Sequence, residues 1–417
     1  MRAPVSATAR RRAAFHQLTV SHVRQLTHDA VEVTFAVPAQ LAGFYDYLPG
    51  QYVALRARMP DAAGVLRELR RSYSLCALPI QFPDGSSELK IAIKRDLGGE
   101  FSTWATSELG PGGVLDVMSP SGAFVSRHSA TASGPAQNVL TSMNHPQQLA
   151  GRNGHFVAIA AGSGITPVMA LAASLLAGSS GAGSGSPSAP DGSAAPETSL
   201  DLLYVNKGTM DIMFLEELAD LKDRYPRRLA VHHVLSREER IAPLLSGRLD
   251  ASKLVALFDK AIHAEDVVEW FLCGPFELVQ LCRDVLEQRG VPRENIRFEL
   301  FTTGRPDRPA GQHGRPVRIE ESRENRTITF TLDGRTTEVL SPIHARESIL
   351  NAALRLRPDV PFACAGGVCG TCRTKLISGE VTMDENYALE PEELAAGYIL
   401  SCQSHPTTDE VTVDYDA

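Results

Sequence analysis

Four cysteines, Cys364, Cys369, Cys372 and Cys402, follow the pattern Cys-x4-Cys-x2-Cys with one distant fourth member. Three thiolates from one loop and a fourth from elsewhere are the plant-type ligand spacing of a [2Fe–2S] cluster. Between them the loop carries Ala365, Gly366, Gly367 and Gly370, small residues that let a backbone wrap closely around a cluster. A structural zinc site also uses four thiolates, but such sites usually pair two short Cys-x2-Cys turns, and here Cys402 stands alone after Leu400-Ser401. A [2Fe–2S] cluster moves one electron at a time and does no substrate chemistry. The rest of the chain must then say where electrons enter.

Two motifs in the first third suit a flavin. In Arg71-Ser72-Tyr73-Ser74 the Arg offers a fork for a phosphate, the Tyr an aromatic face and Ser74 a hydroxyl for a ring nitrogen. Gly98-Gly99 then opens a helical piece containing Ser102, and helix N-termini favour anions. Alone, the first motif reads more readily as a solvated Arg and a core Tyr; the pair points to a flavin. Further on, Phe156–Ala160 runs into Gly162-Ser163-Gly164-Ile165-Thr166-Pro167, a strand, a Gly-rich turn and a helix start that suit a dinucleotide pyrophosphate. It is not the full Gly-x-Gly-x-x-Gly fingerprint. Cys273-Gly274-Pro275 falls at the carboxyl end of a later strand, where open α/β sheets bind ligands; Cys273 also reads as a small buried hydrophobe.

The elements around these motifs divide the chain. Short β-like runs at Leu18–Leu26, Ala30–Val37, Gln51–Arg58, Arg70–Ala77, Leu89–Lys94 and Val114–Met118, with one helix at Glu100–Glu108, predict an antiparallel barrel over 13–126. Apolar runs then alternate with helical stretches such as Val168–Ala177, Ile212–Tyr225 and Phe276–Arg289. That alternation predicts a parallel-sheet α/β domain over 154–301. A linker follows at 302–322, then an α+β, β-grasp ferredoxin-type domain at 323–417 with a helix at Glu347–Leu356. Two polar stretches, 127–153 and 178–199, are too poor in apolar residues to offset their ordering entropy and are expected to be mobile insertions.

Composition narrows the class. The 417 residues exceed one core, and a net charge of -8 argues against non-specific nucleic-acid binding. Cys76, Cys273 and Cys282 are scattered singly, which fits a reducing cytoplasm rather than a disulfide framework. The basic start lacks an apolar secretion core, and the most apolar stretch, Phe156–Ala177, is broken by glycines and Pro167. No membrane segment is expected.

In their order, Arg71–Ser74, Gly98-Gly99 with Ser102, Gly162–Pro167 and Cys273–Pro275 resemble the ferredoxin–NADP⁺ reductase superfamily. With the C-terminal plant-type ferredoxin pattern, the chain resembles the reductase components of bacterial oxygenases. Glu68–Ser74, Met213–Lys222 and Leu389–Tyr398 are similar to the branch whose partner is a di-iron oxygenase that epoxidises the ring of phenylacetyl-CoA. The resemblance implies that Arg71 and Ser102 bind the FAD pyrophosphate, Tyr73 packs on the isoalloxazine and Ser74 lies near its N5. It implies that Gly162, Gly164 and Thr166 shape the pyridine-nucleotide site, with Cys273 beside the nicotinamide. Glu299 of Glu299-Leu300-Phe301 is placed near the flavin. The implied path takes a hydride from NADPH to FAD and sends single electrons through the cluster to the oxygenase.

Nucleotide choice turns on two strand ends. Lys207 stands where relatives tend to have Arg, and Ser236-Arg237 resembles the pair that holds the 2′-phosphate in plant-type reductases. No acidic residue directly ends the second strand to claim a ribose diol, so NADPH is favoured over NADH; both cations also read as solvated surface charges. Three other readings stay open: reductase of a different oxygenase, a free-standing diaphorase or ferric reductase, and a zinc-stabilised scaffold.

Overall fold

β1 (Phe15–Thr27) and β2 (Ala30–Val37) form an antiparallel hairpin closing at Thr27 opposite Ala30. Leu18 and Val20 point inward and their neighbours outward on β1, the period-2 pattern of a half-buried strand. The structure, a computed structural model, describes residues 15–60, 66–96, 99–122, 124–128, 154–177, 198–262, 264, 266–302, 324–357, 360–362, 367, 370–386, 388–389 and 391–417. β3 (Tyr52–Pro60), β4 (Leu66–Ser74), β5 (Ile80–Gln81), β6 (Ser87–Lys94) and β7 (Val114–Met118) complete a seven-stranded sheet in the order β4-β3-β7-β1-β2-β6-β5. The helix Glu100–Ser107 follows β6.

Two boundaries shift for local reasons. The strand expected at Arg70–Ala77 ends at Ser74, after which Leu75 N–H donates to Gln51 O and Cys76 N–H to Lys90 O. The helix expected from Ile212 starts at Leu215, because Phe214 takes a left-handed φ of 57° and cannot sit inside a right-handed helix.

The second sheet comprises β8 (His155–Ala161), β9 (Ser199–Asn206), β10 (Leu229–Leu235), β11 (Val267–Pro275) and β12 (Ile296–Thr302), in the order β10-β9-β8-β11-β12. β8 pairs in parallel with both β9 and β11, and β9 with β10. Helices Ile165–Ala177, Leu215–Arg224, Ala251–Lys260 and Phe276–Gln288 connect these strands. Its central strands are nearly continuous apolar runs, with Phe156, Leu202, Trp270 and Phe271 fully buried, as a sheet covered on both faces requires. Helix Ala251–Lys260 and β12 were not anticipated from the sequence.

The C-terminal sheet has the order β14-β13-β19-β15-β17, built from β13 (Asn325–Leu332), β14 (Arg335–Pro342), β15 (Arg373–Ser378), β17 (Tyr398–Leu400) and β19 (Glu410–Asp414). β16 (Val381–Met383) and β18 (Ser404–Pro406) make a separate ribbon. β13 is antiparallel to β14 and parallel to β19, the mixed pairing of a β-grasp. The β13–β14 hairpin turns through Asp333-Gly334, both at positive φ, which matches a two-residue hairpin turn. Helix Ile349–Leu354 is capped by Ser348 Oγ, which accepts from Asn351 N–H, so it is shorter than the expected Glu347–Leu356.

By packing, the chain resolves into two compact units, Met1–Val53 with Tyr73–Glu299, and Ala54–Ser72 with Leu300–Ala417. Among the described residues no helix is long and apolar enough to cross a membrane. Gly98, Cys364 and Cys369 lie outside the described residues, as do 129–153, 178–197 and 303–322 of the expected insertions and linker.

Candidate functional site

The parallel sheet reverses its winding between β8 and β11, the topological switch point at which open α/β sheets bind ligands beyond the strand carboxyl ends. Gly162–Gly164 leaves β8 there and Cys273-Gly274-Pro275 ends β11, with Cys273 in register with Ala160. The two turns touch at Gly164, where a Cβ would fall 2.1 Å from the Cys273 carbonyl oxygen. Only glycine permits that approach. Thr166 is buried and donates from Oγ1 to Ser163 O at 2.7 Å, bracing the turn. Tyr204, not anticipated from the sequence, donates its hydroxyl to Gly162 O at 3.1 Å and accepts from Met213 N–H at 3.2 Å.

Around the Cys273 side chain three distant stretches converge. Ser74 Oγ donates to Glu299 Oε2 at 3.1 Å, and Cys273 Sγ lies 4.0 Å from the same oxygen. Ser74 and Cys273 are buried. Burial pushes the Cys273 thiol well above its ordinary range, and the neighbouring Glu299 charge pushes it further in the same direction. The thiol therefore stays protonated and acts as a weak donor, not as a nucleophile. The order of strands explains the meeting: Glu299 lies on β12, the sheet neighbour of β11, which carries Cys273.

The flavin motifs show a graded fit. The Tyr73 ring lies 5.9 Å from that of Phe101, which in turn meets Trp104 edge-on at 5.7 Å. Among the described residues, Ser72 Oγ is buried without a hydrogen-bond partner. Arg71 is half-buried, with Nη1 donating to Arg70 O at 2.7 Å. The Ser102 hydroxyl accepts from Asp96 N–H at 3.1 Å and donates to Gly99 O at 3.3 Å. Its hydroxyl thus shapes the turn that precedes the helix Glu100–Ser107. Gly99 permits this, since a Cβ there would fall 2.6 Å from Ser102 Oγ.

On the nucleotide side, Ser236 N–H donates to Asn206 O at 2.9 Å and Arg237 N–H to Lys207 O at 2.8 Å. The ladder between β9 and β10 continues past their ends, setting Lys207 beside Ser236-Arg237. Lys207 and Arg237 are exposed there. Glu238 accepts from Thr209 N–H and Oγ1, both at 2.7 Å, and these bonds hold its carboxylate below the ordinary range. The loop after β10 thus supplies an acid just past the end of β9, whose own last residues, Tyr204-Val205-Asn206, include none.

In the C-terminal unit, Cys372 and Cys402 are both buried and share one apolar cluster with Val360, Phe362, Leu389 and Leu400. Ser401 ties them, donating from N and Oγ to Cys372 O at 3.1 and 3.0 Å. Gln403 Nε2 approaches Cys402 Sγ at 3.7 Å, an N–H···S contact of the kind that supports a cluster thiolate. Gly367 has a φ of +80°, and a Cβ there would press on Glu385 O at 3.0 Å. Burial pushes the Tyr415 phenol far up; Ser401 opposes this, and Cys372 and Cys402 add to it. This donor set fits a sulfur-ligated metal group. Arg373, next to Cys372, pairs with Glu393 and lies 4.4 Å over the Tyr398 ring, fixing the short helix Pro391–Ala395.

An antiparallel flavin-type sheet, a nucleotide sheet with its switch point built as described, and a cysteine-loop β-grasp define a pyridine-nucleotide-dependent electron-transfer reductase. The "2Fe-2S iron-sulfur cluster binding domain" family matches residues 330–407, and the "Oxidoreductase NAD-binding domain" family matches 158–284. The chain is 38% identical to one of the subunits of 1,2-phenylacetyl-CoA epoxidase from Escherichia coli (strain K12), over 97% of this chain and 98% of that one. It is 29% identical to the ferredoxin reductase component of 3-ketosteroid-9-alpha-monooxygenase from Rhodococcus rhodochrous, covering 95% and 96%. The solved structure of phthalate dioxygenase reductase shares the fold at a TM-score of 0.50 and 20% identity, covering 96% of this chain and 98% of that one. The chain belongs to the ferredoxin–NADP⁺ reductase-like family of oxygenase reductase components with a 2Fe–2S domain. Its cofactors are FAD, a 2Fe–2S cluster and a nicotinamide nucleotide, and it is an oxidoreductase that transfers electrons.

Proposed function

We propose that this chain takes reducing equivalents from NADPH and delivers single electrons to a di-iron oxygenase, phenylacetyl-CoA epoxidase, in the cytoplasm. The observation that carries the entry step is the convergence of Ser74 and Cys273 on Glu299 Oε2 beside the switch-point turn. When bound, the flavin accepts a hydride and releases electrons singly, which a nicotinamide cannot do.

This chain's residues supply the rest. Ser74, oriented by Glu299, presents a hydroxyl to the flavin N5, and the protonated Cys273 packs beside the nicotinamide. Arg71 and the turn Gly98-Gly99 with Ser102 hold the flavin pyrophosphate, and Tyr73 covers the ring. Gly162, Gly164 and Thr166 shape the nucleotide turn. Cys364, Cys369, Cys372 and Cys402 ligate the cluster. The domain limits 13–126, 154–301 and 323–417 carry these three jobs.

Lys207 beside Ser236-Arg237 supports a 2′-phosphate and so NADPH. Glu238 at the same edge favours a second reading, NADH, because a carboxylate repels a phosphate and accepts from a ribose diol. The partner reading is supported by the relative from Escherichia coli, whose name makes it part of an epoxidase. The sequence has no Glu-x-x-His motif of its own for a di-iron centre.

Anaerobic addition of NADPH, and separately NADH, to the purified protein tests both readings while flavin absorbance and the paramagnetic signal are followed. NADPH is expected to bleach the flavin faster and then give a reduced-cluster signal. Reconstitution with the other components of the epoxidase and phenylacetyl-CoA should give epoxide; a reduced cluster without epoxide would sink the partner, and no cluster signal the relay.

A further inference from the structure

Arg70 is 1% exposed, although it carries a full charge and sits directly before the flavin motif Arg71-Ser72-Tyr73-Ser74. Its Nη1 donates to the carbonyl of Val360 at 2.8 Å, 290 residues away in sequence, and its guanidinium carbon lies 4.9 Å above the Phe362 ring. Val360 and Phe362 belong to the apolar cluster that also contains Cys372 and Cys402. Phe362 is two residues before Cys364. All of these contacts lie inside the unit formed by Ala54–Ser72 and Leu300–Ala417.

A buried guanidinium is costly unless its donors are met, and well-packed apolar side chains in place of buried charged groups are often as stable. Arg differs from them by providing a planar group that stacks on an aromatic face while donating to a carbonyl. Both properties are used here on the segment that leads into the cysteine loop. We propose that Arg70 is a positioning residue for electron transfer out of the flavin. It ties the segment that leads into the cluster loop to Arg70 of β4 within one compact unit.

The step concerned moves one electron from reduced flavin to oxidised cluster; no bond forms, the donor loses one electron and the acceptor gains it. Arg70 contacts neither nucleotide nor reacting atoms in this scheme, so hydride entry should be indifferent to it. The inference rests on the relay described above, and the test separates the two.

Arg70→Met and Arg70→Lys are compared with the unchanged protein by rapid anaerobic mixing with NADPH. Flavin bleaching should keep its rate, while appearance of the reduced-cluster signal should slow roughly tenfold to a hundredfold in Arg70→Met, as expected when reacting groups lose fixed geometry. Arg70→Lys, which keeps charge but not the planar group stacked on Phe362, should recover only part of that rate. Backbone hydrogen exchange at residues 360–372 should quicken in the variants with and without the cluster loaded. Unchanged cluster reduction in Arg70→Met, even with a lowered melting temperature, would overturn the proposal and leave Arg70 structural. Should Arg70→Met not fold, Arg70→Lys and Phe362→Leu decide by the same two rates. Absence of any cluster signal in the unchanged protein would instead refute the relay.

Discussion

Ser74 and Glu299 are 225 residues apart in sequence, yet the Ser74 hydroxyl donates to Glu299 Oε2 at 3.1 Å. The carboxylate thus fixes the direction of a hydroxyl at the end of β4. Ser74→Ala should slow flavin reduction by roughly a hundredfold, the lower range for a positioned proton-bearing group, with little change in nucleotide affinity. Glu299→Gln, which keeps an acceptor oxygen, should cost less. Single-turnover bleaching under anaerobic conditions measures both; equal rates in Ser74→Ala and the parent would contradict the assignment.

Gly164 allows two turns to touch. Gly164→Ala would drive a methyl into the Cys273 carbonyl, 2.1 Å from the new Cβ, and backbone atoms on both sides must move. Overpacking of this kind costs about 1–3 kcal/mol. The expected result is a lower urea midpoint together with a raised KM for the nucleotide. Unaltered values of both would mean the turns yield freely.

On the proposed reading, Glu238 and the pair Lys207 and Arg237 pull nucleotide preference in opposite directions. Removing the carboxylate in Glu238→Gln should raise the NADPH-to-NADH ratio of kcat/KM. Lys207→Ala and Arg237→Ala should each lower it, by roughly tenfold for a lost charge-assisted contact worth about 1.5 kcal/mol. Steady-state kinetics with both nucleotides decides, and a ratio indifferent to all three would place the adenosine end elsewhere.

Glu269 is 1% exposed and pairs with Arg297 at 3.1 Å while accepting from Ser126 Oγ at 2.6 Å. Glu269→Ala strands the partly buried Arg297 guanidinium and the Ser126 hydroxyl, and breaking such a pair costs at most about 3 kcal/mol, the lower end for fully buried pairs. Chemical unfolding should register a loss of that size, with flavin reduction per folded molecule unaltered.

His232 and His233, adjacent on β10, have their pKa values held below the ordinary 6.5. Burial is the main cause at both; Lys222 adds to it at His232, where Asp201 opposes, and Arg240 and then His232 add to it at His233. Because the folded values are depressed, the neutral rings stabilise the fold above the unfolded value, and that stability is lost as pH falls below 6.5 through the folded values. Melting temperature should therefore drop on acidification in this window, and less steeply in His232→Asn/His233→Asn. Parallel profiles for parent and variant would assign the acid sensitivity to other groups.

Much of this was legible in one dimension. Cys-x4-Cys-x2-Cys limits the metal chemistry because ligand loops are local, and Gly162–Pro167 reads as strand, turn and helix because periodicity and Pro at a first turn are local too. The apolar runs of β8, β9, β10 and β11 announced a parallel sheet, whereas β12 was hidden, since Arg297, Phe298 and Glu299 give no clear apolar run.

What the tertiary structure alone decided is which distant groups meet. Glu299 serves Ser74 only because strand order puts β12 beside β11; Glu238 closes on Thr209 only because two loops run side by side; Arg70 is buried only because Val360 and Phe362 come to it. Pattern along the chain encodes each element's own burial, while the meeting of side chains depends on packing between elements far apart in sequence, which no local signal carries.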